Sequence, residues 1–148
     1  MRAVVQRVQK AEVTVDDRVI GKIGAGLLVL LGIEEGDTKA DADYICSKAV
    51  GLRVFDDADD VPNLSVSEIG GSILLVSQFT LCADARKGRR PSYIHAARPE
   101  TAIPLYEYCI DELRKSVPVE TGQFQAYMQV SLVNDGPHTI LLDSRRNF

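Results

Sequence analysis

The chain has 148 residues, 45% hydrophobic and 26% charged, with no internal repeat, linker or low-complexity stretch, so a single domain over 1–148 with its own core is expected. A net charge of −4 gives no global attraction to nucleic acid, so any such contact would have to come from a local basic patch. Three cysteines, Cys46, Cys82 and Cys109, are odd in number and lack metal-ligand spacing, which argues against a disulfide framework or a zinc site. No apolar run approaches membrane-spanning length and the first residues lack a secretory apolar core, so a cytoplasmic protein away from membranes is expected.

Val4, Val5 and Val8 form a β-branched opening strand, and Val13 and Val15 alternate with Thr14 and Asp16 in a second. Asp16-Asp17 turns the chain into a short strand from Val19 to Ile23. Leu27-Leu28-Val29-Leu30-Leu31 is apolar throughout, the pattern of a central strand covered on both faces. Asp37 stands where an N-cap belongs. Ala42, Ile45, Cys46, Ala49 and Val50 then recur at helical spacing, and Gly51 marks the end. Leu52 to Phe55 reads as a strand, an acidic loop follows, and Ile73-Leu74-Leu75-Val76 forms a second buried strand entering Ser77-Gln78-Phe79-Thr80. Pro99 suits a first helical turn, and Ala102, Leu105, Tyr106, Cys109, Ile110 and Leu113 repeat the helical stripe. Pro104 conflicts with that pattern and implies a helix start or a kink. Closing strands are expected from Phe124 to Val133 and over Ile140-Leu141-Leu142, with Gly136-Pro137 between them. Helices on one side of a mixed sheet system fit this order.

Two stretches at strand ends are candidate sites. At the mouth of a buried strand, Ser77, Gln78, Phe79, Thr80 and Cys82 offer hydroxyls, an amide, a thiol and main-chain N–H groups. A side-chain nucleophile, Thr80 or Cys82, would need His95 or His138 as its base. Main-chain N–H groups could instead hold an oxyanion without any particular side chain. In Asn134-Asp135-Gly136-Pro137-His138-Thr139, glycine can adopt angles closed to other residues and proline makes a cis bond worth considering, although most such pairs are ordinary turns. Arg86, Lys87, Arg89 and Arg90, shaped by Gly88 and Pro91, could contact phosphates or form a solvated loop. The acidic run Asp56 to Asp60 lacks the pattern of a calcium loop and reads as solvated.

Five stretches together resemble the D-aminoacyl-tRNA deacylases of the D-tyrosyl-tRNA deacylase type. They are Met1-Arg2-Ala3-Val4-Val5-Gln6-Arg7-Val8, Gly26-Leu27-Leu28-Val29-Leu30-Leu31-Gly32, Val76-Ser77-Gln78-Phe79-Thr80-Leu81, Arg86-Lys87-Gly88-Arg89-Arg90-Pro91, and Met128-Gln129-Val130-Ser131-Leu132-Val133-Asn134-Asp135-Gly136-Pro137. The resemblance implies a three-layer α/β homodimer that hydrolyses the ester of D-aminoacyl-tRNA; main-chain oxyanion donors would need no cofactor or metal, and a filter with room only for hydrogen at the α-carbon would admit glycyl-tRNA as well. It implies a cis Gly136–Pro137 bond that reaches into the partner's pocket and is held by Arg7. Main-chain N–H groups of Phe79 and Thr80 would bind the oxyanion, with Thr80 a possible nucleophile and the 2′-hydroxyl of the tRNA as activator. Ser77, Gln78 and Met128 would line the substrate pocket, and Arg86, Lys87, Arg89 and Arg90 would meet tRNA phosphates. Alternatives are a Thr80 or Cys82 hydrolase, or a non-catalytic module that grips RNA ends. Two departures stand out: His138 follows Gly-Pro where a small apolar residue is expected, and Pro62 stands where methionine is more usual.

Overall fold

The computed structural model describes residues 1–148. Eight strands and two helices follow in the order β1 (Arg2–Val15), β2 (Arg18–Ile23), β3 (Gly26–Gly32), α1 (Lys39–Gly51), β4 (Phe55–Asp56), β5 (Pro62–Leu64), β6 (Ser72–Ser77), α2 (Pro99–Arg114), β7 (Val119–Thr121) and β8 (Gln129–Asp143). Six of the strands form one mixed sheet. β3, β6 and β7 run parallel, joined through α1 and α2, while β1 pairs antiparallel with β2, β3 and β8. One edge of β1 is shared, with residues 2–8 paired to β3 and residues 11–15 to β2, and β8 covers the other edge from Arg2 to Thr14.

The all-apolar strands are explained by burial on both faces, and their alternation sorts the core in two. Leu27, Val29, Leu31, Ile73 and Leu75 face the helices, packed with Ala42, Ile45, Ala102, Leu105 and Cys109. Leu28, Leu74 and Val76 face the other way, with Val8, Ala11, Val13 and Ile23, inside the curl made as β2 swings toward β7. A Cβ at Gly21 would collide with the Thr121 carbonyl of β7, and one at Gly26 with the Ser72 main chain of β6, so close strand approach requires glycine at both points. Each leucine buried here contributes about 1.5–3 kcal/mol relative to exposure.

Four expectations change. The first two strands are one, because β8 pairs across Gln9-Lys10 despite their polarity. The strand expected at Leu52 to Phe55 is only Phe55–Asp56. The closing strands are also one, since pairing with β1 continues past Gly136–Pro137 through a register shift opposite Gln6–Val8, while Phe124–Met128 stays outside it. Thr38, rather than Asp37, is the N-cap of α1, with a reciprocal capping box to Asp41. Asp37 is instead buried beneath the Met1 ammonium, which donates to its Oδ1 at 2.8 Å, and it accepts from Glu34 N at 2.7 Å. Pro104 lies inside α2, which begins at Pro99. No helix is long and apolar enough to cross a membrane.

Candidate active site

β6 ends at Ser77, and Gln78 N donates one last bond to Leu31 O at 2.7 Å before the chain tightens into a single 3-10 turn, Phe79–Cys82. Helical turns leave their first N–H groups without internal partners. Leu81 N returns to Gln78 O at 3.2 Å and Ala83 N to Thr80 O at 3.1 Å, while the N–H groups of Phe79 and Thr80 donate to no acceptor in the protein. Phe79 and Thr80 border a cleft of about 740 Å³. The facing lining is Phe124 to Met128, and the start of α2 closes one end. Ser77, Gln78, Phe79, Thr80 and Met128 therefore share one site. Gln78 Nε2 donates to the Thr80 hydroxyl, and Gln123 N to Met128 Sδ at 3.4 Å.

A side-chain nucleophile is not assembled. Neither His95 nor His138 is hydrogen-bonded to Thr80 or Cys82. Cys82 is buried, and its thiol lies 3.6 Å from Ile33 O and borders a separate pocket with Arg2, Glu34 and Arg145. Burial, and secondarily the Glu34 carboxylate, pushes that thiol up to about 11, so the reactive thiolate is scarce at neutral pH. Cys46 and Cys109 are core residues, as helical spacing implied for Cys46. No three His, Cys, Asp or Glu side chains converge in a way that could hold a metal ion.

Gly136–Pro137 lies in β8, away from the cleft lining of its own chain, and its peptide bond is cis. Gly136 has φ of 133°, where L side chains are strained, and a Cβ there would also stand 3.1 Å from Arg7 Nη2. Arg7, with 11% of its side chain exposed, is the clamp: Nε donates to Asp135 O at 2.9 Å and Nη1 to Val54 O at 2.7 Å. Asp56 and Asp135 carboxylates each stand 3.6 Å from its guanidinium. On the far side of Pro137, Asn134 Oδ1 accepts from His138 N at 2.7 Å, and Asn134 Nδ2 donates to Thr139 Oγ1 at 3.0 Å. The acidic loop thus has one member supporting the clamp, while Asp57 closes the loop's own turn by accepting from Asp59 N and Val61 N.

The basic loop is a closed hairpin. Asp84 and Ser92 exchange both main-chain bonds at 2.8 and 2.9 Å. Arg86 makes a fork to Asp84, Nε to Oδ1 at 2.9 Å and Nη2 to Oδ2 at 2.6 Å, which holds the Asp84 carboxyl well below the usual carboxylate range. Lys87, Arg89 and Arg90 are exposed and have no carboxylate partner. Spacing alone had grouped all four; the pairing of Arg86 with a residue two positions earlier depends on the hairpin's shape.

A curled six-stranded mixed sheet with two helices on one face, a small β4–β5 sheet beside it, and a cleft bordered by a turn with two free main-chain donors define an α/β domain. Residues 4–143 match the family model described as D-Tyr-tRNA(Tyr) deacylase. The chain belongs to that family, whose members are hydrolases. It is 56% identical over 150 residues to a D-aminoacyl-tRNA deacylase of Thermosipho melanesiensis, and 56% identical over 149 residues to one of Desulfitobacterium hafniense, with each pair covered over its full length. A solved structure described as a c-Myc DNA Unwinding Element Binding Protein superposes with a TM-score of 0.92 at 42% identity, over 97% of this chain and 98% of that one.

Proposed function

We propose that this protein hydrolyses the ester of D-aminoacyl-tRNA at a site completed by a second copy of the chain, with main-chain rather than side-chain groups stabilising the reaction. The observation that carries this reading is the pair of unused N–H groups on Phe79 and Thr80. As the ester carbonyl is attacked, charge gathers on its oxygen, and fixed donors that need no reorganisation stabilise that charge more than they do the ground state. The tRNA 2′-hydroxyl next to the ester assists the attacking water. Ser77 and Gln78 shape the cleft, Met128 lines the part that takes the terminal adenosine, and Lys87, Arg89 and Arg90 meet phosphates.

The chiral filter is steric. Gly136–Pro137 of the partner copy forms a wall against the substrate α-carbon, held by Arg7 and Asn134. Hydrogen fits the wall and a Cβ does not, so a D-residue enters with its side chain outward and an L-residue is refused. Glycine, lacking a Cβ, enters too. Association of two copies is supported by β8, an edge strand whose far side is unpaired and which exposes Leu132, Val133 and Leu141. Long apolar edges of this kind are normally covered. Three unpaired cysteines suit a reducing cytoplasm.

A paired time course with D-tyrosyl-tRNA and L-tyrosyl-tRNA tests the reading. Loss of the D-ester alone, with glycyl-tRNA also consumed, is expected; equal loss of both esters would remove the filter from the account.

A further inference from the structure

Between the cleft and the basic hairpin stands an aromatic surface that no step above uses. Phe79 and Tyr93 are 54% and 41% exposed, and their rings meet edge to face with centroids 5.1 Å apart. Beside them Ile94 is 78% exposed. Tyr93 follows Ser92, the residue that closes the hairpin, and its carbonyl accepts from Ala96 N at 3.0 Å, so main-chain bonds on both sides fix its position. The surface therefore runs from a side chain that borders the cleft, Phe79, to the foot of the loop that carries Lys87, Arg89 and Arg90.

We propose that Tyr93 is a stacking platform for the nucleotide before the terminal adenosine of the RNA acceptor end, with Phe79 bracing its ring and the hairpin cations meeting the adjoining phosphates. The inference rests on the deacylase reading and extends it from the terminal adenosine to the rest of the single strand. Exposed aromatic rings bordered by unpaired cations are the combination that holds single-stranded nucleic acid: rings take base faces, cations follow the backbone. An extended strand leaving the cleft past Phe79 would meet the Tyr93 ring packed against it, at the foot of the basic loop. A ring held edge-on by a neighbour keeps one face free and loses little freedom on stacking. Its charge complement is also present, since Lys87, Arg89 and Arg90 have no carboxylate partner whereas Arg86 is occupied by Asp84.

The test compares kcat/KM on D-tyrosyl-tRNA with that on 3′-D-tyrosyl-adenosine, which lacks the penultimate nucleotide. For Tyr93→Ala the ratio of the two is expected to fall about tenfold from the wild-type ratio, the size of one stacked base, and Tyr93→Phe is expected to restore it. An unchanged ratio would overturn the proposal. If wild type cleaves neither ester, the deacylase reading fails and the platform is judged separately. The chain has no tryptophan, so Tyr93→Trp supplies a single indole that can be excited selectively over the four remaining tyrosines. Its emission is expected to be quenched by the trinucleotide CCA, carrying no amino acid, and not by adenosine alone; no quenching by CCA would overturn the platform on its own.

Discussion

At the end of β6 the main chain is left open, with the Phe79 and Thr80 N–H groups given no acceptor by the protein. In β8 the groups around Gly136–Pro137 are occupied: Arg7 holds the Asp135 carbonyl, and Asn134 bonds both His138 and Thr139. The difference follows from what each region is proposed to meet. A developing oxyanion needs donors that are unspent until the transition state forms. A steric wall needs no chemistry of its own, only that it cannot yield to one carbon atom, and dense hydrogen bonding supplies that resistance.

The largest effect should come from closing the open region. Phe79→Pro removes one N–H at the first position of the turn, where proline is tolerated and the preceding Gln78 has φ of −140°. Turnover of D-tyrosyl-tRNA should fall about 10²–10³-fold, whereas Phe79→Leu, which keeps the donor, should stay within roughly tenfold of wild type. Steady-state kinetics of the two variants, with circular dichroism to confirm folding, separates main-chain from side-chain roles.

Loosening the wall should change selectivity more than rate. Pro137→Gly returns freedom to an exposed position, and the preference for D- over L-tyrosyl-tRNA should fall by about tenfold or more, measured as a ratio of kcat/KM values. Arg7→Ala acts on the same wall through stability. It leaves the Val54 and Asp135 carbonyls without their charged donor, a loss of about 2–3 kcal/mol in urea unfolding.

The smallest effect on turnover belongs to Cys82. Cys82→Ala should leave D-ester hydrolysis close to wild type, because the thiol borders a different pocket. In the native protein, alkylation should be slow at pH 8 and accelerate toward pH 11, following a thiol pushed up to about 11. The folded thiol is harder to ionise than the unfolded one, so this group's contribution to stability is lost as pH rises above the ordinary thiol value of about 8.5.

Much of this organisation was legible in the chain. Leu27–Leu31 and Ile73–Val76 read as doubly covered strands because both faces are buried, and the stripes of α1 and α2 matched their packing. What escaped depended on distant partners. Gln9-Lys10 look like a break, yet β8 carries β1 through them. β7 has three residues and owes its identity to parallel pairing with β6. Asp37 has the chemistry of a cap but is claimed by the Met1 ammonium. In the site, the order Ser77-Gln78-Phe79-Thr80 marked the place, while the freedom of two N–H groups appears only once the 3-10 turn is known. Arg86 likewise looked equal to its neighbours until the hairpin brought Asp84 against it.

The central claim is that the open donors of one copy work with the wall of another. Differently tagged Phe79→Pro and Pro137→Gly chains can be mixed, the mixed dimers purified, and hydrolysis of D- and L-tyrosyl-tRNA compared. The account predicts that the mixed dimer regains a D-preference close to wild type, since the intact cleft of the Pro137→Gly chain meets the intact wall of the Phe79→Pro chain. A mixed dimer as unselective as Pro137→Gly alone would contradict it, because the wall would then serve the cleft of its own chain.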